Sequence, residues 1–190
     1  MREATGQPQR KGIVLASVIT FLIAYPFFLA LWIPMKDTYA HAVVFTASKI
    51  AAGVKDLAFE GLKEEKDSFE ASFAPLGRVS SMLIDIPVKT SSYTFNAPLT
   101  FAIMAALFRS TRRRWRAYSE ALLLLVSVHL LYVFSLEAKE LTNVLTDKGL
   151  EAMSMPRLFI YQFLWGFTDN MVIRFEPFLI GFYLFARFRK

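Results

Sequence analysis

The sequence predicts an integral membrane protein that is all-α inside the bilayer: a four-helix transmembrane bundle with a small external helix-plus-strand (α+β) module. Three observations carry that reading. The 190 residues are 55% apolar and 20% charged, with a mean hydropathy of +0.38, whereas an ordinary soluble domain carries about 25% charged residues. The charges are missing from long runs, the first being 24 residues between Lys11 and Lys36. The basic residues that bracket those runs gather on one side of the membrane they imply. This composition counts against a disordered chain and against a cytosolic enzyme. With no Cys in the chain, disulfides, thiolate nucleophiles and Cys-ligated metals are excluded. The two His, His41 and His129, lie too far apart to found a metal site.

The first run, GIVLASVITFLIAYPFFLALWIPM, is long enough to cross a hydrocarbon core of about 30 Å. A cleavable leader is the rival reading, with Arg10 and Lys11 as its basic start and Ala40-His41-Ala42 as a small-x-small cleavage site. The apolar part of a leader is about 7–15 residues; this run is longer, so a retained anchor fits better. The second span is Ala97 to Phe108, extendable through Phe95 and Tyr93, with Asn96 and Pro98 suited to a helix entry. The third is ALLLLVSVHLLYVFSL between Glu120 and Glu137, which reaches spanning length once Ala117 and Tyr118 join it. The last region combines RLFIYQFLWGF (157–167) with MVIRFEPFLIGFYLFAR (171–187). It reads either as an interfacial helix plus a span or as one long helix bent near Gly166 and Asp169-Asn170.

The positive-inside rule orients these spans. With the N-terminus in the cytoplasm, the pieces on that side carry a net charge of about +9 and the other side about −3. Arg2, Arg10 and Lys11, the turn RSTRRRWR (109–116), and Arg187, Arg189 and Lys190 all agree in sign. Both termini are therefore expected in the cytoplasm. Basic loops beside apolar spans meet anionic lipid headgroups, so the overall charge of +6 points to membrane lipids as partners rather than to nucleic acid. The chain divides into residues 1–35 (N-terminus and first helix), 36–96 (external module) and 97–190 (helices two to four). The last part includes the basic turn 109–116 and an external stretch, 137–156.

Within the module, Val43, Ala47, Ile50, Val54, Leu57, Ala58 and Leu62 recur at three and four, while Lys49, Asp56, Glu60 and Lys63 fall on another face. That spacing predicts an amphipathic helix from Asp37 to about Lys66, packed over the module or lying at the membrane surface. EEKDS (64–68) reads as a charged turn and PLG (75–77) as a break. Met82, Ile84, Ile86 and Val88 then alternate with Leu83, Asp85, Pro87 and Lys89, which predicts a strand. Pro87 points to an edge strand or a bulge, and Thr90 to Ser92 are expected to turn into a second strand through Tyr93 and Phe95. The third helix is expected to run past the membrane to a Gly149 cap, with Glu137 and Glu140 in water.

Three residues stand out as candidate interaction or polar-path groups. Arg174 and Glu176, within Arg-Phe-Glu-Pro, are ionisable groups near or within a span, which tend to face protein or water. Two residues apart on a helix, they do not pair directly, and a snorkelling Arg174 at the end of the last span explains them equally well. His129 sits mid-span, as a proton relay or, more simply, as a hydrogen-bonded structural His. No catalytic constellation emerges: no Gly-x-Ser-x-Gly elbow, His-Glu-x-x-His pair or P-loop occurs. No cofactor is implied, and the chain does not read as an enzyme.

The order of these features resembles one family, the exosortase H-associated membrane proteins of Gram-negative bacteria. The resemblance is one of layout. It covers the first span with YPFFLALWIP, the helix-plus-strand segment, YTFNAPLTFAIMAALF entering the second span, RSTRRRWR, and YQFLWGFTDNMVIRFEPFLIGFYLF. It implies residence in the bacterial inner membrane and a companion role to a transpeptidase-like membrane protease that processes C-terminal sorting signals. Exosortases themselves depend on a Cys with Arg and His, so this chain is not one, and no site residue carries over. Two functions are weighed. One is an accessory subunit that meets an exosortase-type membrane protein through the periplasmic segment. The other is a small, self-associating transporter or lipid-handling protein whose polar path includes His129, Arg174 and Glu176.

Overall fold

The computed structural model describes residues 7–76, 82–107, 114–152 and 154–188. Most of the basic turn, Gly77 of the PLG break, and the terminal residues Arg2, Arg189 and Lys190 lie outside them. In chain order, α1 (Gln7–Trp32) and α2 (Lys36–Val54) precede β1 (Leu57–Glu65), β2 (Ser68–Pro75) and β3 (Ile84–Lys89). Then follow α3 (Ser91–Thr94), α4 (Asn96–Leu107), α5 (Arg114–Asp147), α6 (Met155–Phe167), a π-helical turn (Thr168–Ile173) and α7 (Arg174–Phe188). The chain is mostly helical, with one small sheet.

Among the described residues two helices are long and apolar enough to cross a membrane, Val14–Trp32 and Trp115–Asp147. The expectation of four spans is met only that far. α4 spans 12 described residues, and α7, of 15, continues the helical run of α6 and the π turn. Within α1, Pro26 is accommodated without ending the helix, as happens in apolar helices whose freed backbone groups find other partners.

The helix expected from Asp37 to Lys66 ends at Val54, and Leu57, Ala58 and Leu62 belong to a strand. The reason is local. Asp56 adopts a left-handed φ of 52°, which stops the helix. The register of β1 against β2 then shifts between Phe59 and Gly61. That bulge inserts one residue, so the sheet-facing positions run 57, 59, 62 and imitate helical spacing. The central strand β2 was not anticipated, although Phe69, Ala71 and Phe73 alternate with half-exposed neighbours. Between β1 and β2, Lys66-Asp67 makes the hairpin turn within the expected charged segment.

The sheet is antiparallel in the order β1-β2-β3. Its β3 strand buries Ile84, Ile86 and Val88 and exposes Asp85, Pro87 and Lys89, as the alternation predicted, and it lies at an edge. The other edge is β1, with its bulge and the charged run Lys63-Glu64-Glu65. The strand expected through Tyr93 and Phe95 does not form. Instead the Thr90 carbonyl accepts from the Tyr93 and Thr94 amides at 3.4 and 3.1 Å and from Thr94 Oγ1 at 2.9 Å, which closes the short α3.

Helix α5 runs unbroken for 34 residues. It ends as predicted: Gly149 takes φ +65°, and the Leu150 amide donates back to the Leu145 carbonyl at 2.8 Å, a left-handed glycine cap. The last region is one helical run through the π turn, which contains Asp169 and Asn170.

By contact the chain forms two units. The first comprises residues up to Met35, Asn96–Leu125 and Glu176–Lys190, so it gathers α1, α4, the start of α5 and nearly all of α7. Inside it Phe28 meets Phe101 at 5.7 Å, Phe101 meets Tyr118 at 5.9 Å, and Arg187 pairs with Glu120 at 3.4 Å. The second comprises Lys36–Phe95 and Val126–Phe175. There, one face of the sheet is covered by α2 and the later part of α5. Ala40, Val43, Val44 and Ala47 pack with Phe69, Val88 and Val133, and Ala51 and Ala52 pack with Ala71, Phe73, Ile86, Leu141 and Leu145.

Candidate functional site

The second unit buries a run of polar side chains where α2, α3, α5 and the π turn meet. From the first turn of α2, the Tyr39 hydroxyl is hydrogen-bonded to His129 Nδ1 at 2.7 Å. The His129 ring lies 5.0 Å from that of Tyr93, and Tyr93 lies 5.6 Å from Tyr132. Tyr132 in turn meets the side chains of Ser92 and Asp169. Because Tyr93 is fully buried, its hydroxyl is pushed well above the ordinary tyrosine range, with Tyr39 adding to the effect. Among the described residues that hydroxyl has no hydrogen-bond partner.

One turn of α5 further on, Glu137 is fully buried, contrary to the expectation that it stands in water. Ser48 Oγ of α2 donates to its Oε1 at 2.6 Å, and its Oε2 has no hydrogen-bond partner among the described residues. The sequence carried a signal for this. Val133, Glu137, Leu141 and Leu145 recur every four residues, so the carboxylate falls on the apolar stripe of its helix. Reading it as a surface acid ignored that register.

The three predicted residues have separate surroundings. His129 is fully buried in the second unit and hydrogen-bonded to Tyr39. Arg174 is exposed. Glu176 belongs to the first unit, is 1% exposed, and accepts a hydrogen bond from Asn96 Nδ2 at 2.8 Å. The first turn of α4 thus holds the first turn of α7.

A cleft of about 570 Å³ opens in the second unit between Val54–Leu57, Pro75-Leu76 and the segment from Leu145 to Tyr161. Lys55, immediately after α2, is its buried cation: Nζ lies 3.1 Å from Glu151 and 4.7 Å from the centre of the Tyr161 ring. Arg157 reaches the other oxygen of Glu151 at 3.2 Å. Sequence reasoning missed this cluster because its members are about 100 residues apart and none is unusual in its own segment. Since the cations already hold the Glu151 carboxylate, the cleft is a pinned corner between α2 and α6. Among the described residues no three His, Asp or Glu side chains converge as a metal needs. Ser48, Tyr39 and Lys55 hold Glu137, His129 and Glu151 within the unit.

A family model described as exosortase H-associated membrane protein matches residues 12–188. No curated protein and no solved structure matches the chain.

Proposed function

The chain belongs to the exosortase H-associated membrane protein family, and from that premise we propose that it is a non-catalytic, multi-pass accessory protein of the bacterial inner membrane. It partners an exosortase-type membrane protein through the second unit, whose sheet stands in the periplasm. The α4 and α7 segments complete four crossings, and both termini are cytoplasmic. One observation carries the reading: the second unit uses its polar groups internally, in Ser48–Glu137, Tyr39–His129 and Lys55–Glu151, while large apolar side chains remain on its surface. A folded unit with an apolar exterior suits a protein that works by contact.

Transport along a polar path has less support. His129 and Glu176 each sit with a partner of their own, and Arg174 is exposed. The test is co-expression of the tagged chain with the exosortase of its own organism, followed by purification in mild detergent. Recovery of the exosortase at a defined stoichiometry is expected. A chain that purifies only with itself or with lipid overturns the proposal.

A further inference from the structure

We propose that the outer face of α6 is a docking strip for an apolar helix of a second membrane protein, an inference that rests on the accessory reading. α6 has no buried residue. Phe159, Phe163 and Phe167 are 68, 62 and 50% exposed, with Ile160 and Met155 beside them at 58 and 64%. The three rings stack one turn apart, with centroids 6.3 and 6.1 Å apart and planes within 17° and 15°. They form a straight ridge about 12 Å long at the helical rise, ordered before anything covers it. A ridge of residues four apart is what the groove of a packing helix accepts.

Lipid does not account for this face. The aromatics of a membrane interface are Trp and Tyr, which bring a polar atom to the headgroups. Here the residues of that kind face inward: Tyr161 carries Lys55 and Trp165 carries Lys139, 3.8 Å above its ring. The ridge itself is Phe, with Ile160 and Met155 beside it, and Gln162 is the exposed polar side chain on its flank. Acyl chains are equally poor cover. On the inner side of the same helix lie Lys55, Glu151 and Lys139, the last paired with Glu140 at 2.8 Å, and Arg157 of α6 reaches Glu151 from an exposed position. Charged groups at hydrocarbon depth cost at least about 2.5 kcal/mol apiece on the most lenient scale. The ridge therefore stands at a charged level and still needs a dry cover, which another protein supplies. The family description names an associated exosortase, which favours that membrane protein over a second copy of this chain.

The test uses the full-length chain co-expressed with its exosortase, carrying a photoreactive residue at Phe163 or, as a control, at Lys63 on β1. On irradiation of the membranes, an adduct with the exosortase is expected from position 163 and not from 63. Adducts joining two copies of the chain, or adducts with lipid alone, overturn the proposal. A second arm uses the Phe159→Ser, Phe163→Ser pair, which leaves the buried core untouched. Recovered exosortase is expected to fall by at least about tenfold while the melting temperature holds. Undiminished recovery rejects the strip and leaves the accessory reading standing, whereas failure of the unaltered chain to recover exosortase rejects both.

Discussion

A buried tyrosine hydroxyl beside the Tyr132 ring and the His129 imidazole, with no hydrogen-bond partner among the described residues, is a cost rather than a contribution. Leaving a buried hydroxyl unsatisfied is worth about 1–3 kcal/mol against the fold. Tyr93→Phe keeps the ring contacts with His129 and Tyr132 and removes that cost, so its melting temperature in detergent is expected to equal or exceed the parent's near pH 8. The sign of the alkaline effect follows from burial. The folded state holds the Tyr93 proton at pH values where the unfolded chain releases it, so stability present below about pH 10 is lost as pH rises further. Tyr93→Phe should decline less steeply above that pH, and equal slopes would remove burial as the cause. Legibility at this scale was uneven. His129 was visible as the lone imidazole of an apolar run. Its partner Tyr39 is 90 positions away, and no local pattern links the two.

At the scale of elements, the close approach of α4 and α7 is the most demanding packing in the first unit. A Cβ added at Gly181 would fall 2.7 Å from Ile103 Cγ2, and the branched Ile103 has few rotamers with which to retreat. Gly181→Ala is expected to cost about 1–3 kcal/mol, read as a lowered melting temperature. Ile103→Ala should then cost less in the Gly181→Ala background than in the parent. Simple additivity would mean that the contact is not what makes the glycine necessary. Elements carrying their own period were readable: α1, the long α5 with its Gly149 cap, and the alternating β3. The failures share a cause. The bulge at Glu60-Gly61 scrambled the period of β1 into a helical one. The short Phe69–Phe73 alternation then lost the neighbour that would have identified it as a hairpin partner. In the last region the π turn joins α6 to α7 without a break in the helical backbone.

On the scale of the whole molecule, hydropathy and charge bias told more than any motif. They identified a membrane protein and suggested the proposed topology, while four crossings remain to be mapped. A chain without Cys is convenient here, since one introduced thiol is unique. Cysteine at Lys66, on the hairpin of the second unit, is expected to react with a membrane-impermeant maleimide in intact spheroplasts. Cysteine at Ser110, in the basic turn, should react only after permeabilisation. Labelling of Ser110→Cys in intact spheroplasts would invert the topology and place the sheet of the second unit in the cytoplasm. How the segments assemble was not legible, because each unit is made of stretches far apart in the chain and their partners are chosen by packing.

Both outer strands of the sheet carry an obstacle. A bulge and consecutive charges interrupt β1, and Pro87 withholds an amide from the middle of β3. Open strand edges are templates for runaway polymerisation between copies. These two irregularities make the sheet a dead end for growth in either direction, so neither edge is a ready seed for fibrils.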